Sequence, residues 1–290
     1  GFWFLVLCLV LGISGLAWGQ EVTMLLNSHF VKTHETELTR QAEEWAASKG
    51  VEVRLDFITD WDVEAKITSE SQSGAGHDIV ALRDFVTYIY KDILTNVDST
   101  VEEIKAQNGK IIEVAELCDL VDGQWLAVPW YHQSFPLLYR KDYVEAVGYS
   151  VEDMNNLTTD TFLELAKKMD AAGHQVGFPI STCADSNACV APFLWAFGGS
   201  FFGKDNTITV VSDKTAEALN YMLELSKYMP KEVTGWDNSG NNLFILSGVG
   251  SVSANPPSVY ATAARRQSPL AAKIYHAPFP AGPEGQYRCT

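Results

Sequence analysis

Three apolar runs of strand character, separated by two helical stretches and all lying between Glu21 and Leu82, constrain the fold of this chain more than any other feature. EVTMLLN at Glu21–Asn27 is short and β-prone, and residues 34–49 form a helical stretch stopped by Gly50. VEVRLDFI at 51–58 alternates in strand fashion, residues 62–71 read as a second helix, Gly74, Ala75 and Gly76 as a turn, and DIVAL at 78–82 as a third strand. Strands that alternate with helices predict an α/β fold with a mainly parallel sheet covered by helices. Ligands in such sheets bind beyond the carboxyl ends of the strands, which singles out the loop at 28–32 and the pair Arg83 and Asp84.

Ahead of this pattern, residues 2–16 are a nearly unbroken apolar run, followed by Ala17, Trp18 and Gly19 just before Gln20. That arrangement reads as the core and cleavage site of an export signal, so residues 1–19 are expected to be a signal peptide. A transmembrane anchor is the alternative, because the run approaches the ~20 residues a bilayer core requires, but no charged flank stands on the Gly1 side. The chain starts with Gly1 and has no basic segment ahead of the apolar core, so its true start is expected upstream. Export predicts a periplasmic or extracellular location.

The exported part, about 270 residues, suffices for two lobes of ordinary domain size, each with its own core. A formal net charge of -15 excludes functions that depend on neutralising phosphates, so neither nucleic acid nor an anionic membrane surface is a partner. After cleavage four cysteines remain, and Cys183 and Cys189 stand close together in what reads as a polar loop. In an oxidising compartment they are expected to form a local disulfide, with free thiols as the alternative. A zinc site would need two more ligands at recognisable spacing, and none lies near this pair.

Further along, GQWLAVPWYHQSFPLLY at 123–139 is a long β-prone stretch broken by Pro129 and Pro136, suited to a crossing between lobes. A capped helix is expected from Thr158 or Asp160 to about Ala171, stopped near Gly173, and opens a second α/β lobe. Its later elements are a helix at 189–197, a strand at 207–211, a helix at 214–228 ended by Pro230, and a helix end feeding a strand over 244–254. No internal repeat or low-complexity linker is visible, so short crossings rather than a flexible tether should join the lobes.

The order of GHDIVAL, GQWLAVPWY with LLYRKDYVEAVG, FLWAFGGSFF, TAEALNYMLEL, GWDNSGNNLFILSGVGSVSANPPSVY and APFPAGPEG resembles the extracellular solute-binding proteins of ABC importers, the family that includes maltose-binding proteins. The likeness spans essentially the whole exported chain. It implies a two-lobed periplasmic-binding-protein fold of type II, with a hinge and one ligand in the cleft between lobes. By analogy lobe one covers 20–131, lobe two 132–276, and residues 277–290 start a return to lobe one. Family members continue past this point, so the C-terminal part of lobe one is expected to be missing.

A sugar presents apolar C–H faces and a rim of hydroxyls, and a site for it needs flat aromatic platforms and fixed polar groups. His29 and Phe30 follow the first strand, and Arg83 and Asp84 follow the third, as a charged pair able to bond vicinal hydroxyls. Trp130 and Tyr131 lie at the first crossing, Trp195 precedes Gly198 and Gly199, Trp236 and Asp237 stand beside a polar loop, and Asn255 and Ser258 end the last clear strand. Each also has a plain reading. Trp195 fits the apolar face of a helix, and Arg83 and Asp84 fit a solvated pair or a helix cap. Trp236 is the strongest single candidate because its neighbours Gly235, Asp237 and Asn238 do not look like a core. Ser258 stands where the family often has an aromatic, which weakens transfer of a maltose-like specificity.

Other chemistries find little support. No GxSxG occurs in the exported region, and GVGSVS at 248–253 lacks the third glycine and following helix of a dinucleotide site. His29 and His34 are off the i, i+4 register of HExxH and lack its Glu. A glycosidase pair among the many carboxylates stays open, because only spatial proximity at ~5 to 9 Å is required. The sequence therefore predicts a monomeric, non-enzymatic receptor without cofactor. It would bind a sugar or polyol and hand it to an ABC permease in the membrane. A secreted glycosidase and a ligand-binding sensor subunit are the alternatives.

Overall fold

Leu25 and Leu26, buried in the middle of β1 (Glu21–Asn27), sit on the central strand of a parallel sheet ordered β2-β1-β3. A computed structural model describes residues 20–83, 86–132, 134–203, 205 and 207–286. The expected signal peptide at 1–19, Asp84, and the last four residues of the expected return segment lie outside the described residues. The described chain divides into two compact units. One is built from residues up to Thr100 with Cys118–Ala127, and the other from Val101–Leu117 with residues from Val128 onward.

In the first unit β1 is followed by α1 (Lys32–Lys49), β2 (Glu52–Ile58), α2 (Asp60–Ser73), β3 (Ile79–Val80) and α3 (Val86–Ile89). The β-α-β-α-β order is the one the sequence predicts. Gly50 ends α1 at φ 68°, a left-handed conformation that a side chain would strain, and its amide caps the carbonyls of Ala46 and Ala47. Leu25, Val63 and Ile67 form the core between sheet and α2, flanked by Ile58, Val80, Leu82 and Tyr90. β3 is shorter than its apolar run, and ahead of it Asp78 stays tied to β1, its amide donating to the Thr23 carbonyl at 3.0 Å and its carboxylate accepting from the Thr23 amide at 2.8 Å and the Thr23 hydroxyl at 2.9 Å. Then α4 (Asp98–Asn108) and α5 (Glu113–Asp119) lead into a hairpin of β4 (Leu120–Val121) and β5 (Gln124–Trp125).

His77, just before β3, is held between two carboxylates: Nδ1 lies 2.8 Å from Glu70 and Nε2 lies 2.8 Å from Asp56. Both ring nitrogens can donate only in the imidazolium form. Burial opposes that charge, but the bonds to Glu70 and Asp56 outweigh it and raise the His77 pKa. A raised folded-state pKa contributes stability that is complete below the unfolded value of about 6.5 and is lost as pH rises through the folded value. The stability advantage of wild type over His77→Gln is therefore expected to shrink as pH rises from 6 toward 9, read by thermal melts. A difference that stays constant over that range would show that the charge contributes nothing.

The second unit is built on β6 (Leu137–Arg140), which pairs antiparallel with β7 (Val252–Ala254) on one side and β8 (Ile274–Ala277) on the other. Between β6 and β7 run α6 (Lys141–Ala146), α7 (Val151–Asn155), α8 (Thr159–Ala171), α9 (Ala184–Ala196), α10 (Asp213–Ser226) and α11 (Gly240–Leu246), and α12 (Ser258–Arg265) connects β7 to β8. Thr158 starts α8 as a capping box, accepting from the Thr161 amide and donating its own amide to Thr161 Oγ1. The buried face of α8, Phe162, Leu165, Ala166 and Met169, packs with Phe178, Phe193, Leu225 and Phe279 into one large core. A smaller cluster of Leu138, Phe244, Ile245, Val259, Ala263 and Ile274 lies around α11 and α12.

Three expectations change. The strand expected at 207–211 is reduced to a single bridge between Phe202 and Ile208, with Ile208 and Val211 exposed. Residues 277–286 stay in the second unit instead of leaving it, since the Ala281 amide donates to Leu157 and its carbonyl accepts from Thr159. The disulfide between Cys183 and Cys189 is not formed. Cys183 stands at the N-cap position of α9 without a side-chain cap bond, its buried thiol 3.3 Å from Ser186 Oγ and 3.4 Å from Ser181 Oγ, while Cys189 lies within the helix. Six residues along a helix separate two Cα atoms by about 9 Å, beyond the ~7 Å a disulfide can bridge.

Candidate functional site

In the first unit the carboxyl ends of β1 and β3 open on a small hollow lined by Asn27, Val63, Glu64, Ile67, Arg83 and Val86. This is where a parallel sheet is expected to bind ligands. Arg83 sits at the hollow, and its Nη2 donates to Glu64 Oε1 at 3.0 Å. Glu64, in the first turns of α2, was not singled out from the sequence, because a single Glu in a charged helix carries no local signal. His29 is half-buried: its amide donates to Glu35 Oε1 at 2.8 Å, and its Nδ1 accepts from the Val31 amide at 2.9 Å. Burial raises the Glu35 pKa, but the bonds from Lys32 and His29 outweigh it and leave the group lowered and ionised. His29 thus braces the turn into α1, while Phe30 beside it is 53% exposed.

In the second unit four of the candidates lie around α11: Trp236 and Asp237 on the loop ahead of the helix, and Asn255 and Ser258 in a chain of side-chain hydrogen bonds behind it. The Trp236 ring packs against Phe244 with centroids 5.0 Å apart. Its seat is cut by glycines: a Cβ at Gly240 would stand 2.5 Å from Trp236 Cγ, and one at Gly177 would stand 2.8 Å from Cη2. Asp237 Oδ1 accepts from the Ser239 amide at 2.8 Å and the Ser239 hydroxyl at 2.6 Å. These bonds, the hydroxyl's first, lower the Asp237 pKa and keep it ionised.

A separate network runs through Asn241 and Asn242, which sequence reading missed. Asn241, 0% exposed, donates both Nδ2 hydrogens, to Asp185 Oδ2 at 2.7 Å and to the Ala254 carbonyl at 2.9 Å, while its Oδ1 accepts from the Asn242 amide. Asn242 Oδ1 accepts in turn from Asn255 Nδ2, and Asn255 Oδ1 accepts from the Ser258 hydroxyl at 2.8 Å. Asn255 is itself buried, and its amide bonds the Pro136 carbonyl. Its side chain therefore carries the network inward, while Asp237 and Ser258 sit nearer solvent. The paired Asn241 and Asn242 after a Trp-Asp-Asn run were the available signal for this network.

Trp130 and Tyr131, 53% and 49% exposed, meet edge to face at 5.0 Å and present two broad aromatic surfaces to solvent. Trp195 is half-buried near the C-terminal end of α9. Ten residues of helix put it about 15 Å from Asp185 at the other end, so it is not part of the cluster.

With two units of mixed helix and strand, the chain has the two-lobed periplasmic-binding-protein fold class. The chain belongs to the bacterial extracellular solute-binding protein family, whose model matches residues 32–287. It is 27% identical over 185 residues to a lactose-binding protein of Rhizobium radiobacter, covering 62% of this chain and 42% of that one. The fold is similar to that of maltose-bound MalE3 of T. maritima, with a TM-score of 0.81 at 22% identity, covering 92% of this chain and 69% of that one. It is similar too to that of an ABC transporter solute-binding protein of Agrobacterium radiobacter K84 in complex with ribitol, with a TM-score of 0.76 at 19% identity, covering 92% and 68%. The chain thus spans less than half the length of its lactose-binding relative.

Proposed function

We propose that this protein is the extracytoplasmic substrate-binding component of an ABC importer and that it binds a neutral sugar or polyol for delivery to a membrane permease. The observation that carries the reading is the cluster in which Trp236 lies beside Asp237 and a buried chain of Asn side chains. It sets a partly buried indole beside the exposed Asp237 carboxylate, while the buried Asn chain, whose own donors and acceptors bond one another, fixes Ser258 before any ligand arrives. Such a set matches a molecule with C–H faces and hydroxyls. The exposed rings of Trp130 and Tyr131, and the Arg83–Glu64 pair in the first unit, are further groups of the same two kinds. Lactose, maltose and ribitol, the ligands of its relatives, share this chemistry. The protein acts in the periplasm or outside the cell, as a monomer.

The reading is of a receptor and not an enzyme. A glycosidase needs an acid whose pKa is raised toward neutrality. Asp237, the carboxylate next to Trp236, is shifted the other way by its bonds from Ser239, and Asp119, whose carboxyl pKa burial raises, belongs to the first unit and not to this cluster. A thermal-shift screen of sugars and polyols, with product analysis on the same samples, tests this. A ligand present at 100 times its Kd stabilises by about 2.7 kcal/mol, a rise of several degrees in Tm. Stabilisation without product is the expected outcome, and turnover of any panel member would overturn it.

A further inference from the structure

The loop at 235–242 bears Trp236 and Asp237, and its shape is set from outside. Three bonds tie it to the segment 181–185 that leads into α9. The Ser181 hydroxyl donates to the Trp236 carbonyl. The Asp185 amide donates to Asn238 Oδ1 at 3.2 Å. Asp185 Oδ2 accepts from Asn241 Nδ2 at 2.7 Å. The last is the one with no substitute. Asn241 is fully buried and already uses its other Nδ2 hydrogen on the Ala254 carbonyl and its Oδ1 on the Asn242 amide, so among the described bonds Asp185 is the acceptor that satisfies its second hydrogen. Asp185 thus holds the loop at both ends of a four-residue span, through Asn238 and Asn241, and Asn241 in turn fixes Asn242, the acceptor of Asn255.

We propose that Asp185 is a positioning residue for ligand recognition: through Asn238 and Asn241 it fixes the orientation of the loop that presents Trp236 and Asp237. The inference rests on the functional reading above for its link to binding, but its structural half stands apart from it. Removing the carboxylate leaves a hydrogen of the buried Asn241 amide without its acceptor, and the loop relieves that cost by opening toward water. Of the two cores of the second unit, the one around Phe162 and Phe193 touches this loop only through Trp236 at its edge, so its interior keeps its packing.

The test uses the full chain as Asp185→Ala and as Asp185→Asn, which keeps an acceptor oxygen for Asn241. Hydrogen exchange of the Gly240, Asn242 and Leu243 amides, all hydrogen-bonded in the loop and first turn of α11, reads loop opening. Exchange there should speed about 10-fold or more in Asp185→Ala, return toward wild type in Asp185→Asn, and stay unchanged at Phe162 in α8. Titration with maltose, lactose and ribitol well below Tm reads recognition. The probe that binds wild type should bind Asp185→Ala at least 10-fold more weakly and Asp185→Asn nearly normally. Unchanged exchange in the loop, or faster exchange spread evenly over the unit, overturns the proposal. So does a lowered Tm with unchanged Kd, which marks Asp185 as merely structural. If wild type binds none of the three probes, the functional reading loses its support while the exchange result still decides the role of Asp185. Should Asp185→Ala not fold, Asn238→Ala removes the amide bond alone and must raise exchange at Gly240.

Discussion

Trp236→Ala is expected to weaken binding of the cognate solute about 30-fold or more, the ~2 kcal/mol of a buried aromatic anchor. The same change should lower stability by about 2–4 kcal/mol. A fully buried Trp→Ala costs about 3–5 kcal/mol, and Trp236 is only partly buried. Two effects of one substitution must be told apart. The ring packs at the edge of both clusters of the second unit and against Phe244, so loss of packing alone explains a lower Tm. Binding measured far below that Tm isolates the recognition role. Trp236→Phe is the control: it keeps a flat ring in the slot left by Gly177 and Gly240 and should recover most of the stability and part of the affinity. Tight binding by a destabilised Trp236→Ala would reduce Trp236 to a core residue and remove the centre of the proposed site.

The first unit was legible because its signals are local. Apolar runs of strand length, helical stretches between them and Gly50 at a left-handed stop specify β1, α1 and β2 within forty residues of chain, and parallel order follows from the helices that intervene. The second sheet was not legible. β6, β7 and β8 lie at 137–140, 252–254 and 274–277, and which of these three buried runs takes the centre depends on contacts across more than a hundred residues. No periodicity encodes that pairing. The misread cysteines have a local cause. Polar residues between the two cysteines read as loop ahead of a helix at 189–197, but α9 begins at Ala184 and carries Pro192 in its interior.

The site divides along the same line. Residue type flags aromatics and carboxylates in polar surroundings, which is how Trp236, Asp237, Asn255 and Ser258 were found before their proximity was known. What type cannot flag is a partner chosen by folding. Glu64 matters because α2 brings it to Arg83, and Asp185 matters because α9 starts beside α11. Asn is the hardest case: Asn241 resembles any loop residue in sequence, yet it is fully buried and uses both donors and its acceptor. Trp195, which the sequence offers both as a candidate and as a helix-face residue, lies half-buried near the end of α9.

The sheet that carries Asn255 depends on one more buried charge, and its removal should be the costliest polar change in the chain. Arg140 ends β6 with its side chain only 6% exposed, paired through Nε and Nη2 with the two oxygens of Asp142 at 2.9 and 2.7 Å and lying 3.9 Å over the Tyr143 ring. Asp142→Ala leaves the guanidinium with the ring as its chief remaining partner. Breaking a buried pair costs about 3–5 kcal/mol, and because the Asp142 side chain is 31% exposed, water can offset part of it, so about 2–4 kcal/mol is expected. Lys273, which also reaches Asp142 at 3.1 Å, is half-exposed, and Lys273→Ala should cost well under about 1 kcal/mol. Acid supplies an independent check. Burial raises the Asp142 pKa, but the bonds from Arg140 and Lys273 outweigh it and bring the group down to about 2. A depressed folded-state pKa contributes stability above the unfolded value of about 4, and that stability is lost as pH falls through the folded value. The gap between wild type and Asp142→Asn should therefore be flat from pH 8 to 5 and close between about pH 4 and 2, where protonation makes the two side chains electrically alike. A gap that persists unchanged at pH 2, or an Asp142→Ala protein as stable as wild type at pH 7, would mean that Arg140 is held by packing and the Tyr143 ring alone.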